Sequence, residues 1–361
     1  MYLLGFLTVA PLISAAILAP RNNTVACNNS PALCNKAYSD ITHLGAHDSP
    51  FLRDASTSYS TSGNQAYDSV TQLDAGVRLL SAQVHNNNGA WHLCHSSCSL
   101  LDAGLLSTWL GGIKRWMDKN PNDVVTILLV NSDNASAQQL ASEFSASGIE
   151  DYAYTPVSAS SPPSQWPTLQ SMISQNKRLV TFVASLPSGS NTVAPYLLDE
   201  FVFLFENPFE VSSLTNFTCT PSRPTAVSGD PEAAISSGRL PLMNHFLYVN
   251  SGLGIESPDV GNITITNAPG NAVGNLGKSA AECQQLYGQS PTFVLVDFFD
   301  QGPAIATVDE LNGVTKAVGR KVLATADLQT TNAAAHGIGM PGAIWVVLGI
   351  GCTLRTIFNL L

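Results

Sequence analysis

The chain of 361 residues carries 12% charged side chains and a formal net charge of −10 with histidines counted as neutral. An average globular protein has about 25% charged residues, so this surface is sparse in charge and acidic, and it repels nucleic acid and anionic bilayers at long range. Nucleic acid is thereby excluded as a partner, and any anionic substrate has to find local positive charge.

Residues 1–19 have no charged side chain, and small residues stand at 14–16. This is the pattern of a secretory signal cut near Ala16, which assigns residues 1–16 to a signal peptide. Sequons at Asn22, Asn28, Asn134, Asn216 and Asn262 fit a glycosylated exterior. From residue 41 onward, short β-rich apolar runs alternate with helical patterns, which predicts βα units and a parallel sheet. Strands are expected at residues 41–46, 77–84, 124–130, 179–184, 201–205, 242–249 and 292–298, and helices at 103–119, 135–147, 169–176 and 279–287. An eighth strand is expected within 152–166 or near residue 322, and the long Ser-, Pro- and Thr-rich connections at 158–167 and 209–239 either border an active site or are solvated. The fold class is α/β, a single TIM-type (β/α) barrel, distorted or incomplete, over residues 17–332; a barrel of this kind needs about 250 residues. Residues 343–361 are again apolar, behind a Gly/Pro spacer and the small-residue stretch 332–335, the layout of a GPI-anchor signal over residues 333–361. Of seven cysteines, Cys352 lies in that tail. The remaining six close three disulfides in an oxidising compartment, most simply Cys27 with Cys34, Cys94 with Cys98 and Cys219 with Cys283. The expected location is outside the cell or at its surface, held to the membrane by a GPI anchor.

In a parallel barrel the reactive groups stand at the C-terminal strand ends, where the βα loops converge. Those ends offer His47 and Asp48, then Ser81, Gln83 and His85, then His92 and His95 in "WHLCHSSC", and later Glu206, Asn244, His245, Asp297 and Asp300. Alternation along the second strand puts Val77, Leu79, Ser81, Gln83 and His85 on one face, which turns polar towards the mouth, and leaves Arg78 on the outer face in a structural role. Two histidines suit phosphodiester cleavage: one imidazole takes a proton from the attacking oxygen, the other gives one to the leaving oxygen, and both titrate near neutrality. A carboxylate beside each fixes its tautomer and stabilises the imidazolium. His47, Asp48, His95 and Asp297 are therefore the catalytic candidates, with Gln83, His85, Glu206 and His245 as substrate contacts. The spacing of His92, Cys94, His95 and Cys98 also resembles a zinc set, but in a secreted chain Cys94 and Cys98 pair as a disulfide. No P-loop, dinucleotide fingerprint or G-x-S-x-G occurs, and neither a cofactor nor a metal is expected.

The ordered stretches "THLGAHDSPF", "QLDAGVRLLSAQVH", "WHLCHSSC", "WMDKNPNDVVTILLVN", "QWPTLQSMI", "RLVTF", "MNHFLY" and "FVLVDFFDQG" resemble the phosphatidylinositol-specific phospholipase C superfamily, most closely its secreted fungal PLC-like phosphodiesterases. The resemblance implies His47 as general base, Asp297 as its orienting partner, His95 as general acid and Asp48 as the carboxylate that holds His95. It also implies a phosphodiester substrate such as a phospholipid head group, whose own 2-hydroxyl attacks phosphorus. The sequence departs from the family on the second strand. Ser81 and Gln83 stand where bacterial members carry a phosphate-binding arginine and animal members carry acidic Ca²⁺ ligands, so a Ca²⁺ mechanism is not expected. The same departure motivates a second reading, a cell-surface or wall-associated binding protein that keeps the barrel with impaired catalysis.

Overall fold

The computed structural model describes residues 25–187, 189–250 and 256–329; the expected signal peptide, Asn22 and the expected anchor signal lie outside the described residues. In chain order the strands are β1 (His43–Ala46), β2 (Leu79–Asn87), β3 (Ala90–Cys94), β4 (Asp102–Leu105), β5 (Val125–Asn131), β6 (Leu179–Ala184), β7 (Leu197–Asp199), β8 (Leu204–Glu206), β9 (Leu240–Asn244), β10 (Tyr248–Asn250), β11 (Glu256–Pro258) and β12 (Phe293–Val296). The helices are α1 (Ser69–Ala75), α2 (Leu106–Lys119), α3 (Ala137–Ser147), α4 (Leu169–Ser174), α5 (Glu200–Phe203), α6 (Pro231–Ser236), α7 (Ile263–Thr266), α8 (Leu276–Tyr287) and α9 (Ala304–Asn312).

Eight parallel strands run in the order β7-β6-β5-β2-β1-β12-β9-β8 and curl into a half-barrel. The end strands β7 and β8 are consecutive in sequence, yet among the described residues no ladder joins them, and the single turn of α5 fills the step between them. The barrel is incomplete at this seam. The structure also corrects four expectations. The eighth strand is neither in 152–166 nor near 322 but at Leu197–Asp199, and the run at 201–205 is half helix and half strand. The run at 242–249 is likewise divided, because β9 stops at Asn244 and Tyr248 opens a separate antiparallel pair with β11. The N-terminal end of the helix expected at 103–119 is β4, which pairs antiparallel with β3.

Strand alternation sorts the apolar residues into two layers. Leu80, Ala82, Val84, Ile127, Leu129, Val183, Val294 and Val296 face the helices, where α2 presents Leu106, Leu110, Ile113 and Met117 at helical spacing. Each such buried side chain contributes about 1.5–3 kcal/mol relative to exposure. Leu79, Leu128, Val180, Phe182, Leu242, Phe293 and Leu295 fill the barrel interior. Gly45 faces inward among them, where a Cβ would come within 2.7 Å of Leu295 and 2.8 Å of Leu79, so the interior tolerates only glycine there without repacking. The N-terminal segment plugs the bottom: Tyr38 bonds Thr126 through its hydroxyl at 2.6 Å and packs on His43 and Trp166.

Arg78 lies outside the interior, bonding Asp123, the carbonyls of Leu73 and Val77, and Asn29, with its guanidinium over Trp116 of α2. Three disulfides join Cys27 to Cys34, Cys94 to Cys98 and Cys219 to Cys283. Of the sequons, Asn134 and Asn216 are exposed. Asn28 is buried and accepts the Val124 N–H at 2.7 Å, so a glycan there is incompatible with the folded chain.

Candidate active site

His47 follows β1 and Asp297 follows β12, and these two strands are parallel neighbours in register, Ala46 beside Val296. The register sets the two side chains next to each other: His47 Nδ1 donates to Asp297 Oδ1 at 2.8 Å. Asn64 Nδ2 donates to the same oxygen at 3.0 Å, and Gln65 Nε2 donates to the carbonyls of His47 and Val296, pinning both strand ends. The His47 ring lies flat on Phe246, with centroids 3.7 Å apart at 6°, so its orientation is fixed on the face as well as the edge. Nδ1 is thus committed, and Nε2 is left for chemistry.

Asp48 is in the left-handed conformation, φ 47°, which an aspartate adopts more readily than most residues. Its backbone N–H donates to Ser81 Oγ at 2.8 Å, and Gln83 Nε2 donates to its Oδ2 at 2.7 Å. That one oxygen lies 3.7 Å from His47 Nε2 and 3.6 Å from His95 Nε2. Both separations exceed hydrogen-bond length, so each Nε2 remains available to a substrate oxygen. His95 comes from the turn after β3, which the Cys94–Cys98 disulfide closes, and its ring meets Phe51 edge-on at 5.4 Å. The Ser96 N–H donates to Gln83 Oε1 at 2.9 Å, so Gln83 ties the His95 turn to Asp48.

The two imidazoles titrate in opposite directions. Burial alone would lower His47, but the charges of Asp48 and Asp297 outweigh it and raise its pKa above the ordinary histidine value. At His95 burial wins over Asp48, and nearby His47 adds to the lowering.

A cavity of about 160 Å³ opens beside this cluster, lined on one side by His47, Asp48, Ser81 and Gln83 and on the other by Glu200, Glu206, Arg223 and Asn244, with Phe209, Phe246 and Tyr248 among its apolar walls. His95 does not itself line the cavity but stands against Asp48. On the far wall Glu206 Oε2 accepts from Arg223 Nη2 at 2.6 Å and from Asn244 Nδ2 at 3.0 Å. Burial, followed by the charge of Glu206, pushes Glu200 well above the usual carboxylate range. Burial would raise Glu206 too, but the hydrogen bond from Glu200 and the Arg223 guanidinium hold it below its ordinary value.

The structure brings His47, Asp48, His95, Asp297, Gln83 and Glu206 together. His85 and His245 are placed elsewhere. Beyond Val84, β2 leaves the barrel to pair with β3, which carries His85 opposite His92 and within 3.4 Å of Asp133. His245 follows Asn244, which lines the cavity, so alternation turns it outward; it is fully buried on Phe217 with Nε2 at the carbonyls of Thr266 and Gly274. Sequence reasoning missed Asn64, Glu200, Phe246, Tyr248 and Arg223. Only Arg223 carried a signal, as one of two basic residues, with Arg239, in the long 209–239 connection. His92, Cys94 and Asp102 come close enough to hold a metal, but Cys94 is spent in its disulfide.

These elements define an α/β half-barrel of the TIM type with a histidine–carboxylate cluster at the C-terminal ends of its strands. Residues 33–312 match the family model PI-PLC X 1, and the chain belongs to that family. It is 36% identical over 313 residues to "PI-PLC X domain-containing protein 1" of Arthroderma benhamiae, covering 86% of this chain and 96% of that protein. An "Uncharacterized secreted protein" of the same organism is 34% identical over 300 residues, covering 81% of this chain and 65% of the relative. Among solved structures, the phosphatidylinositol-specific phospholipase C of Listeria monocytogenes superposes with a TM-score of 0.50 at 14% identity, over 78% of this chain and 96% of its own. The Staphylococcus aureus enzyme of that name, as an F249X mutant, gives 0.50 at 12% identity over 77% and 95%.

Proposed function

We propose that this protein is a metal-independent phosphodiesterase of the phospholipase C type, in which His47 is the general base and His95, backed by Asp48, the general acid. The observation that carries the reading is the single Asp48 oxygen flanked by both Nε2 atoms, with Asp297 committing Nδ1 of His47. A phosphate lodged against His47 Nε2 has the base beside it, and His95 stands past the Asp48 carboxylate as the acid. His47 takes the proton of an attacking hydroxyl, and His95 delivers one to the leaving oxygen. The carboxylates of Asp48 and Asp297 raise His47 and burial lowers His95. The reactive form carries one proton, on His95 with His47 neutral, so the pH profile is expected to be bell-shaped.

Metal independence is supported by the donor set. A Ca²⁺ ion takes about six to eight oxygen ligands, whereas Ser81 and Gln83 bring no carboxylate, Gln83 is committed to Asp48, and Glu206 is paired with Arg223. The three disulfides, the apolar leader and the relative named as secreted support an extracellular location, and the apolar tail supports a GPI tether. The test is cleavage of a panel of phosphodiesters, including phosphatidylinositol, in the presence of chelator. His47→Ala and His95→Ala are expected to lower turnover by about 10²–10⁴-fold each; unchanged cleavage by His47→Ala sinks the mechanism. Ser81 and Gln83 favour one other reading, a binding protein without turnover, which predicts head-group binding and no cleavage at any pH.

A further inference from the structure

Three carboxyl groups, Asp48, Glu200 and Glu206, line the cavity, and Arg223 is the only Lys or Arg among its described lining residues. The strand that would present a cation, β2, presents Ser81 and Gln83 instead, and both are committed to Asp48, one to its backbone and one to its side chain. An anion entering this space faces the Asp48 carboxylate on the β2 side, so a positive partner has to come from the opposite wall.

Arg223 is placed to supply it. Its backbone bridges Glu206 across the mouth in an isolated antiparallel pair, which brings a residue of the long 209–239 connection onto the barrel rim. The guanidinium carbon lies 4.3 Å from the Phe209 ring centroid and 5.3 Å from that of Phe201, so aromatic faces set the plane of the fork. Among the described residues its one side-chain hydrogen bond is from Nη2 to Glu206, while Nε is buried with no partner. A guanidinium has five N–H donors, and with one side-chain hydrogen bond made among the described residues this planar cation at the cavity wall keeps donors for an oxyanion.

We propose that Arg223 binds the phosphate of the substrate, pairing with its anionic oxygens across the cavity from His47 and taking over the charge neutralisation that β2 does not provide. Glu206 and Asn244 form the support behind it: Asn244 fixes the carboxylate, and the carboxylate holds Nη2 of the guanidinium. The inference rests on reading the cavity as a phosphodiester site and assigns its anion contact to a residue outside the barrel strands.

The experiment is calorimetric titration of inorganic phosphate into the full chain, for wild type, Arg223→Met, Arg223→Lys and the double variant Glu206→Gln/Arg223→Met, with thermal unfolding of each. Arg223→Met is expected to weaken phosphate binding by about 10- to 100-fold, the loss of one charge-assisted contact, and Arg223→Lys to recover part of it. Should Arg223→Met fail to fold because Glu206 is left buried without its cation, the double variant decides, since it leaves no unpaired charge; it is expected to bind phosphate as weakly. Wild type that binds no phosphate, or either Met variant binding it as wild type does, overturns the assignment. Cleavage assays on the same proteins separate this claim from the one beneath it. Arg223-dependent phosphate binding without turnover supports the anion contact and removes the phosphodiesterase reading, whereas turnover unaffected by Arg223→Met removes the anion contact and leaves the phosphodiesterase.

Discussion

Asp48→Asn keeps the shape of the side chain and its capacity to accept from Gln83, and removes only the charge between the two imidazoles. Unit charges 3.7 Å apart, the separation of His47 Nε2 from Asp48 Oδ2, attract by roughly 4 kcal/mol at an effective dielectric of about 20. Desolvation of the buried pair offsets part of this, and a neighbouring opposite charge shifts a pKa by about 1–3 units in practice. His47 keeps Asp297, so burial should then bring it down towards its ordinary value or below. His95, already lowered by burial, loses the carboxylate that lifts it. The expected result is a fall of about 1–3 units for His47 and a drop in kcat/KM near neutrality on the order of 10²-fold, because the protonated form of His95 becomes scarcer. The assay is NMR titration of the imidazole Cε1–H resonances of the seven histidines, paired with a pH–rate profile. A His47 midpoint that does not move in Asp48→Asn refutes the electrostatic coupling and the shared-carboxylate geometry with it.

Acid stability gives a second check. Burial pushes His43 and His245 down to about 4, while an unfolded imidazole titrates near 6.5. The native state therefore binds fewer protons between those values; its stability is complete above about pH 6.5 and is lost as pH falls through 4, by about 3 kcal/mol for each histidine. Urea midpoints should decline over this window, His245→Phe should flatten part of the decline, and a midpoint that His245→Phe leaves with the same pH slope contradicts the assignment. Removing the Cys94–Cys98 disulfide as a pair of alanines frees a loop with a sequence separation of 4, worth about 2 kcal/mol, whereas the separation of 64 closed by Cys219–Cys283 is worth about 4 kcal/mol. The first loss should reduce turnover more than Tm, because that turn carries His95, and the second should do the reverse. Equal effects of the two on turnover would show that the turn does not position His95.

Much of this was legible because the barrel strands β1, β2, β5, β6, β9 and β12 are apolar runs bounded by polar turns, and because strand ends in a parallel sheet converge. His47 and Asp48 could be singled out from residues 41–51 alone. The short strand β7 was not, since three residues carry no period, and residues 201–205 are uniformly apolar, a pattern that does not separate one helical turn from a strand. His85 was misplaced because β2 continues past the barrel into a hairpin, a tertiary choice its own alternation does not encode. His245 was misplaced for a simpler reason: with Asn244 facing inward, a period of two sends the next residue out. Arg223, Glu200 and Asn64 reach the site from loops and the α5 turn, where no periodicity assigns a direction.

The measurement closest to the central claim compares two leaving groups in His47→Ala and His95→Ala. A phosphodiester whose leaving oxygen departs as a stable anion, such as a nitrophenolate, needs no proton from an acid, whereas an alkoxide does. His95→Ala is expected to lose turnover on the alkyl ester and keep most of it on the nitrophenyl ester, while His47→Ala loses both. Equal losses on the two esters in His95→Ala would show that His95 is not the general acid, and the acid–base pair at this mouth would fall with it.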